Sequence, residues 1–246
     1  MLITSTDNDK IKEYSKLKER KYRDQTGEFL IEGPHLIAEA YRAGIVKELI
    51  LEQDAVLPLN APTIYVTKDI INKLSEVEAP TNVMALCRKM ETKEDIGKKI
   101  LILDGIQDPG NLGTIIRSSK AFHIDTIVLG ENTVDVYNPK VIRATQGMIF
   151  HINIIKKEIE PFLLSLKQLD IPIYGTKVEY GKDVRTLKNK DKDTFALIMG
   201  NEGNGIRSEV LDLCDSYFYI EMAPDVESLN VGVAASIILY ELDRRD

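Results

Sequence analysis

Three short segments in the second half of the chain gather the residue types that bind and position a charged ligand. The first, Asp104 to Phe122, reads DGIQDPGNLGTIIRSSKAF. Asp104 ends an apolar run, and Pro109 and Gly110 make a turn. Asn111 is suited to cap the helix that follows, because its side-chain oxygen can accept from exposed backbone N–H groups. Gly113 leaves room for close backbone approach. Arg117 lies four residues further along the same helical face, where a guanidinium can hold a phosphate through paired hydrogen bonds. The second segment, ALIMGNEGNGI (Ala196 to Ile206), is an apolar strand opening into Gly200, Asn201, Glu202, Gly203, Asn204 and Gly205. Such an exit admits a ligand against bare backbone, but it has neither the lysine of a phosphate loop nor the GxGxxG order of a dinucleotide site. The third, Ile220 to Glu241, joins a strand to an apolar helix through a loop holding Ser228 and Asn230. Gly232, Ala234, Ala235 and Ser236 allow that helix to pack tightly. Taken singly, each segment also reads as plain structure: a cap, a solvated helix residue, a mobile loop, a capped core helix.

The elements around these segments alternate. Lys99 to Asp104 is an unbroken apolar strand, followed by a helix from Asn111 to Phe122 and a strand from Asp125 to Gly130. Pro139 to Thr145 reads as helix, with strands near Ile152, Ile173 and Leu197 and from Phe218 to Glu221. A final helix spans Asn230 to Arg244. Alternation of this kind predicts an α/β fold with a mostly parallel sheet and helices on both faces. Ligands then bind beyond the carboxyl ends of the strands, where the three segments begin. The charged, apolar-poor stretch Arg88 to Lys99 reads as a linker, giving domains of 1–92 and 93–246. In the first, Asn8 to Arg23 reads as one basic helix, Glu28 to Gly33 as a strand and Pro34 to Ala43 as a helix. Strands near Leu49, Tyr65 and Ala85 complete a small α/β unit.

With 246 residues, 43% of them hydrophobic, the chain can bury a substantial core. A net charge of −7 argues against a protein that simply coats nucleic acid, though not against a local basic face. Cys87 and Cys214 are far apart and imply neither disulfide nor metal site. No stretch approaches the roughly 18 apolar residues of a membrane span, so the cytoplasm is the expected compartment. His35, His123 and His151 are scattered and read as structural or surface residues.

In this order and spacing the three segments resemble the SpoU (TrmH) family of RNA 2'-O-ribose methyltransferases, of the SPOUT superfamily. Asn111, Gly113 and Arg117 match its NxGxxxR motif, and Gly200, Glu202 and Gly203 its GxEG motif. Ile220, Met222, Ser228, Leu229, Asn230 and Val231 match its IxM…SLNV motif. Arg143, Ala144, Gly147 and Phe150 resemble its RAS-x-G-x-x-F segment, with Thr145 where serine is common. The resemblance covers Lys99 to Asp246, and GEFLIEGPHLIAEA more loosely resembles the small substrate-binding domain of some members.

The resemblance implies a deep trefoil knot in the second domain, a homodimer, no metal, and S-adenosylmethionine as cofactor. The cofactor would be contacted by Thr176, Gly200, Ile220, Met222 and Leu229. Asn111, Arg117, Glu202, Ser228 and Asn230 form the implied catalytic set. A guanidinium holds its proton, so Arg117 is read as positioning phosphate and stabilising charge, with Glu202 or the phosphate as proton acceptor. Lys10, Lys12, Lys16, Lys18, Arg20, Lys21 and Arg23 in the first domain, with Arg143, form the implied RNA-binding set. Structured RNA is then the expected substrate, 23S ribosomal RNA before transfer RNA. The competing readings are a non-catalytic RNA-binding or ribosome-assembly protein on the same scaffold and a nucleotide-dependent enzyme of the dinucleotide type. The missing early GxGxxG weighs against the second.

Overall fold

The computed structural model describes residues 2–177 and 180–244. In chain order the elements are β1 (Leu2–Ile3), α1 (Asp9–Lys16), α2 (Arg20–Thr26), β2 (Glu28–Glu32), α3 (Pro34–Arg42), β3 (Val46–Glu52), β4 (Thr63–Val66), α4 (Lys68–Leu74) and β5 (Val83–Arg88). There follow β6 (Lys99–Asp104), α5 (Pro109–Ala121), β7 (Thr126–Leu129), α6 (Pro139–Thr145), β8 (Asn153–Lys156), α7 (Ile159–Gln168) and β9 (Ile173–Thr176). The last are β10 (Lys182–Asp183), β11 (Phe195–Gly200), α8 (Ser208–Leu211), β12 (Ser216–Tyr219) and α9 (Val231–Asp243). Two compact units result. One runs to Glu91 and includes Asp135–His151; the other comprises Thr92–Val134 and the chain from Ile152 on. Among the described residues, no helix is long and apolar enough to cross a membrane.

The first unit is a mixed sheet in the order β1-β4-β3-β5-β2, with β5 antiparallel to both neighbours. Ile11, Tyr14 and Leu17 pack against Ile50, Ile70, Ile71 and Leu74 to form its core. The single helix expected over Asn8 to Arg23 is two. Leu17 turns into the core, and the turn that follows α1 leaves carbonyls that have no helical partner. The Arg23 guanidinium, only 3% exposed, satisfies two of them: Nη1 donates to Leu17 O at 2.8 Å and Lys18 O at 2.6 Å. Its Nη2 pairs with Asp135 at 2.6 Å.

Residues 135–151, given to the second domain by the sequence reading, thus group with the first unit. Phe29 is fully buried against Tyr137 (ring centroids 4.9 Å) and Phe150 (6.2 Å). His151 Nε2 lies 2.7 Å from Glu39 Oε2. At Gly147, φ is +85° and a Cβ would meet the Glu39 side chain at 2.7 Å, so only glycine fits. In this protein, Thr145, Gly147 and Phe150 are packing residues.

The second unit is a seven-stranded sheet, β10-β12-β9-β11-β6-β7-β8, in which every described pair is parallel. Period-two alternation sends Ile100, Ile102, Val128, Ile173 and Ile198 to one face, against Phe162, Leu163 and Leu166 of α7. Helices α5 and α9 lie together. Their approach is close: a Cβ on Gly232 would sit 3.3 Å from Thr114, and Ser118 Oγ lies 2.6 Å from Ser236 Oγ. Gly232 and Ser236 of α9 serve this packing.

Candidate active site

Sheet register brings the three motif segments together. Gly200 pairs with Asp104 at the carboxyl ends of β11 and β6, and Thr176 with Phe218 at those of β9 and β12. From β6 the chain continues to one side through β7 and β8, while β11 lies on the other. The strand ends beside β6 are therefore a topological switch point, where open parallel sheets leave a crevice. A cleft of about 770 Å³, within the range of small-molecule sites, opens to one side of it at the ends of β11, β9 and β12.

The loop after β11 is shaped by its glycines and by Asn201. A Cβ on Gly200 would lie 2.2 Å from the carbonyl carbon of Gly205, so the chain can fold back on itself only because position 200 is glycine. The Asn201 side chain fixes the fold. Its Oδ1 accepts from Gly203 N at 2.9 Å and Asn204 N at 3.1 Å, and its Nδ2 donates to Gly105 O at 2.8 Å. Below the loop, buried Asp104 accepts from the Arg207 backbone N at 3.1 Å and from its Nε at 2.9 Å, pinning the exit.

Glu202 reaches the N-terminus of α5. Its Oε1 accepts from Asp108 N at 3.2 Å and Asn111 Nδ2 at 3.1 Å, and its Oε2 from Gln107 N at 3.3 Å. Burial acts to raise the carboxyl's pKa. The hydrogen bonds from Asn111 and from the backbone of Asp108 and Gln107 outweigh it, and the pKa falls below its ordinary value. The positive end of the helix dipole favours the same anion. Asn111 carries the connection onward: its Oδ1 accepts from Asn230 Nδ2 at 2.8 Å. Asn230 caps α9, accepting from Gly232 N at 2.9 Å and Val233 N at 3.2 Å. One chain of hydrogen bonds therefore runs from Glu202 through Asn111 to Asn230, one residue from each motif.

Of the residues read from sequence, Asn111, Glu202, Ser228 and Asn230 line the cleft, as do Thr176, Gly200, Ile220, Met222 and Leu229. Asn111 does not cap α5. Pro109 occupies the first helical position, so Asp108 is the cap and accepts from Asn111 N at 2.8 Å, freeing the Asn111 side chain for Glu202 and Asn230. Arg117 is exposed on α5 and does not line the cleft of its own chain.

The basic set is not one continuous face. Arg23 is buried and committed to Asp135, so it is not a surface for RNA. Lys10 pairs with Glu48 at 2.6 Å, Lys18 donates to Ser75 O at 2.9 Å and Arg20 pairs with Asp24 at 3.4 Å. Lys12 stands 3.9 Å from Asp7, while exposed Lys16 and Lys21 flank the Tyr22 ring at 5.7 and 6.0 Å. Arg143 is half-buried on α6. The three histidines lie outside the cleft: besides His151 on Glu39, His123 meets Asp243 at 3.1 Å and His35 meets Gln146 O at 3.2 Å. Sequence reasoning missed Asn201, Lys177 and Glu227. Asn201 and Glu227 each adjoin a motif residue in sequence, which was the available signal.

The cleft suits a nucleoside carrying a short charged tail. Its walls are Met199, Phe218, Ile220, Met222 and Leu229, with bare backbone at Gly200, Gly203 and Gly205 and a few polar side chains.

Comparison with known proteins agrees with this geometry. Residues 98–240 match the SpoU rRNA Methylase family, and residues 8–85 the MRM3-like substrate binding domain. The chain is 37% identical over 245 residues to the 23S rRNA (guanosine(2553)-2'-O)-methyltransferase RlmP of Bacillus subtilis, covering 98% of each chain. It is similar to the AdoMet-bound rRNA methyltransferase of Sinorhizobium meliloti, with a TM-score of 0.87 and 27% identity over 98% of this chain and 97% of that one. The AdoMet complex of the SpoU methyltransferase AviRb from Streptomyces viridochromogenes gives a TM-score of 0.85 and 26% identity, covering 96% and 97%.

Proposed function

The chain belongs to the SpoU rRNA methylase family, and from that premise we propose that the cleft carries out methylation of a ribose 2'-hydroxyl in 23S ribosomal RNA. The protein is an S-adenosylmethionine-dependent RNA 2'-O-methyltransferase. The observation that carries the site assignment is the Glu202–Asn111–Asn230 chain, which locks three motif loops around one cleft.

The residues fit the cofactor. Gly200, Ile220 and Leu229 offer backbone and apolar surface to it, with Thr176 and Met222 beside them. When bound, S-adenosylmethionine supplies an electrophilic methyl group on a sulfonium centre, so the protein's contribution is alignment and help with the hydroxyl proton. Glu202 is poorly suited to take that proton, since its pKa is lowered and its oxygens are occupied. It acts as a latch that holds Asn111. Asn111, Ser228 and Asn230 orient the ribose, and the hydroxyl proton is released to water as the methyl group is transferred.

Arg117 finds its place in a homodimer. It is exposed on α5, beside α9, which presents Val233 (47% exposed) and Tyr240 (51%) to solvent. Pairing of this face between two copies covers the apolar residues and brings Arg117 of one chain toward the cleft of the other. Lys12, Lys16, Lys21 and Arg143 then hold RNA phosphates, and the protein works in the cytoplasm, where ribosomal RNA is found. The trefoil knot belongs to the same reading.

The test is transfer of label from methyl-labelled S-adenosylmethionine to purified 23S RNA, 16S RNA and transfer RNA, each deproteinised. Label on 23S RNA alone is expected. Label on transfer RNA alone overturns the substrate assignment, and no cofactor binding at all favours a non-catalytic scaffold.

A further inference from the structure

Among the described residues, three charged side chains line the cleft: Lys177, Glu202 and Glu227. Glu202 is consumed by the α5 N-terminus and Asn111. Lys177 has an interaction of its own. Glu227 makes no hydrogen bond or ion pair with any described residue, although it stands directly before Ser228 and the Asn230 cap. The surfaces nearest in sequence to it, from Ile220 to Leu229, otherwise give the cleft apolar side chains and the Ser228 hydroxyl. A carboxylate without a partner at such a wall is matched by a ligand's cation.

We propose that Glu227 accepts the α-ammonium group of the cofactor's methionyl tail, and so selects for an intact amino-acid moiety. This rests on the reading of the cleft as an S-adenosylmethionine site. The ligand offers two positive centres. The sulfonium has no N–H or O–H to donate, so a carboxylate gains only non-directional attraction from it. The ammonium has three donors. The ribose hydroxyls compete as donors to the same carboxylate, but they are neutral, and the ammonium alone brings three N–H donors together with a charge that neutralises it. Glu227 is exposed, so solvent screens the pair and the effect is moderate.

Calorimetric titration of the unaltered protein and Glu227→Gln with three ligands tests the assignment. The ligands are S-adenosylmethionine, S-adenosylhomocysteine and 5'-methylthioadenosine, the last of which has the nucleoside without the amino-acid tail. The expected result is a Kd raised about two- to fivefold for the first two and unchanged for the third. Equal weakening for all three assigns Glu227 to the nucleoside or to the loop's shape and overturns the proposal. Weakening for S-adenosylmethionine alone assigns it to the sulfonium, and no change for any ligand removes it from the site. If the unaltered protein binds none of the three, the methyltransferase reading fails, and this assignment with it.

Discussion

At Glu202 two effects oppose one another: burial favours the neutral acid, and hydrogen bonds from Asn111 and the α5 N-terminus favour the carboxylate. The bonds win, so the latch stays ionised below the ordinary carboxyl value of 4.5. A lowered native pKa contributes stability above the unfolded-state value, lost as pH falls through the native one. Thermal scans across acidic pH should therefore show the unaltered protein more stable than Glu202→Gln at neutrality, with the gap closing only below pH 4.5. A gap that closes between pH 5 and 7 contradicts this account. Asn111→Ala cuts the chain of bonds at its middle. Its turnover should fall on the order of 10²-fold, as misplacement of reacting groups does, while its melting temperature falls only modestly, as that of Glu202→Gln does. Steady-state kinetics beside a thermal scan checks both halves. The residue types at these positions were legible in the sequence, but Asn111's partners were not. Asp108 and Asn111 are both good caps, and only the helix start at Pro109 decides between them.

Whole elements were the most legible part of the chain, because unbroken apolar runs such as Lys99–Asp104 and Phe195–Gly200 have few alternatives to a buried strand. The glycine-rich exit of β11 was equally plain, and its physical cause is the fold-back at Gly200. Gly200→Ala puts a methyl group into the Gly205 backbone. The expected outcome is destabilisation of about 1–3 kcal/mol, typical of overpacking, with loss of cofactor binding by calorimetry. Retained binding at full affinity shows the loop can open without consequence. The basic stretch Asn8 to Arg23 was misread as one helix because its polar periodicity gives no sign of a break. The break comes from tertiary structure: Leu17 enters the core and Arg23 binds the freed carbonyls.

At the scale of the whole molecule, chain order and spatial order part company at residues 135–151. They follow β7 in sequence yet pack around Phe29 and Arg23. A linker is visible as a composition shift, whereas an excursion of this kind depends on contacts more than a hundred residues apart, such as Arg23 with Asp135. Removing one partner of such a buried pair leaves a bare charge. Arg23→Ala should cost about 3–5 kcal/mol of stability, and hydrogen exchange should show the loss in α1, α2 and residues 135–151 together. A loss confined to α2 denies that these segments form one unit. What the assembled cleft does is decided by where on the RNA the methyl group arrives. RNA methylated by the purified protein would be digested to nucleosides and the added mass placed by fragmentation. A ribose 2'-O-methyltransferase leaves the added mass of one methyl group on the ribose; the same mass on a base would contradict that activity.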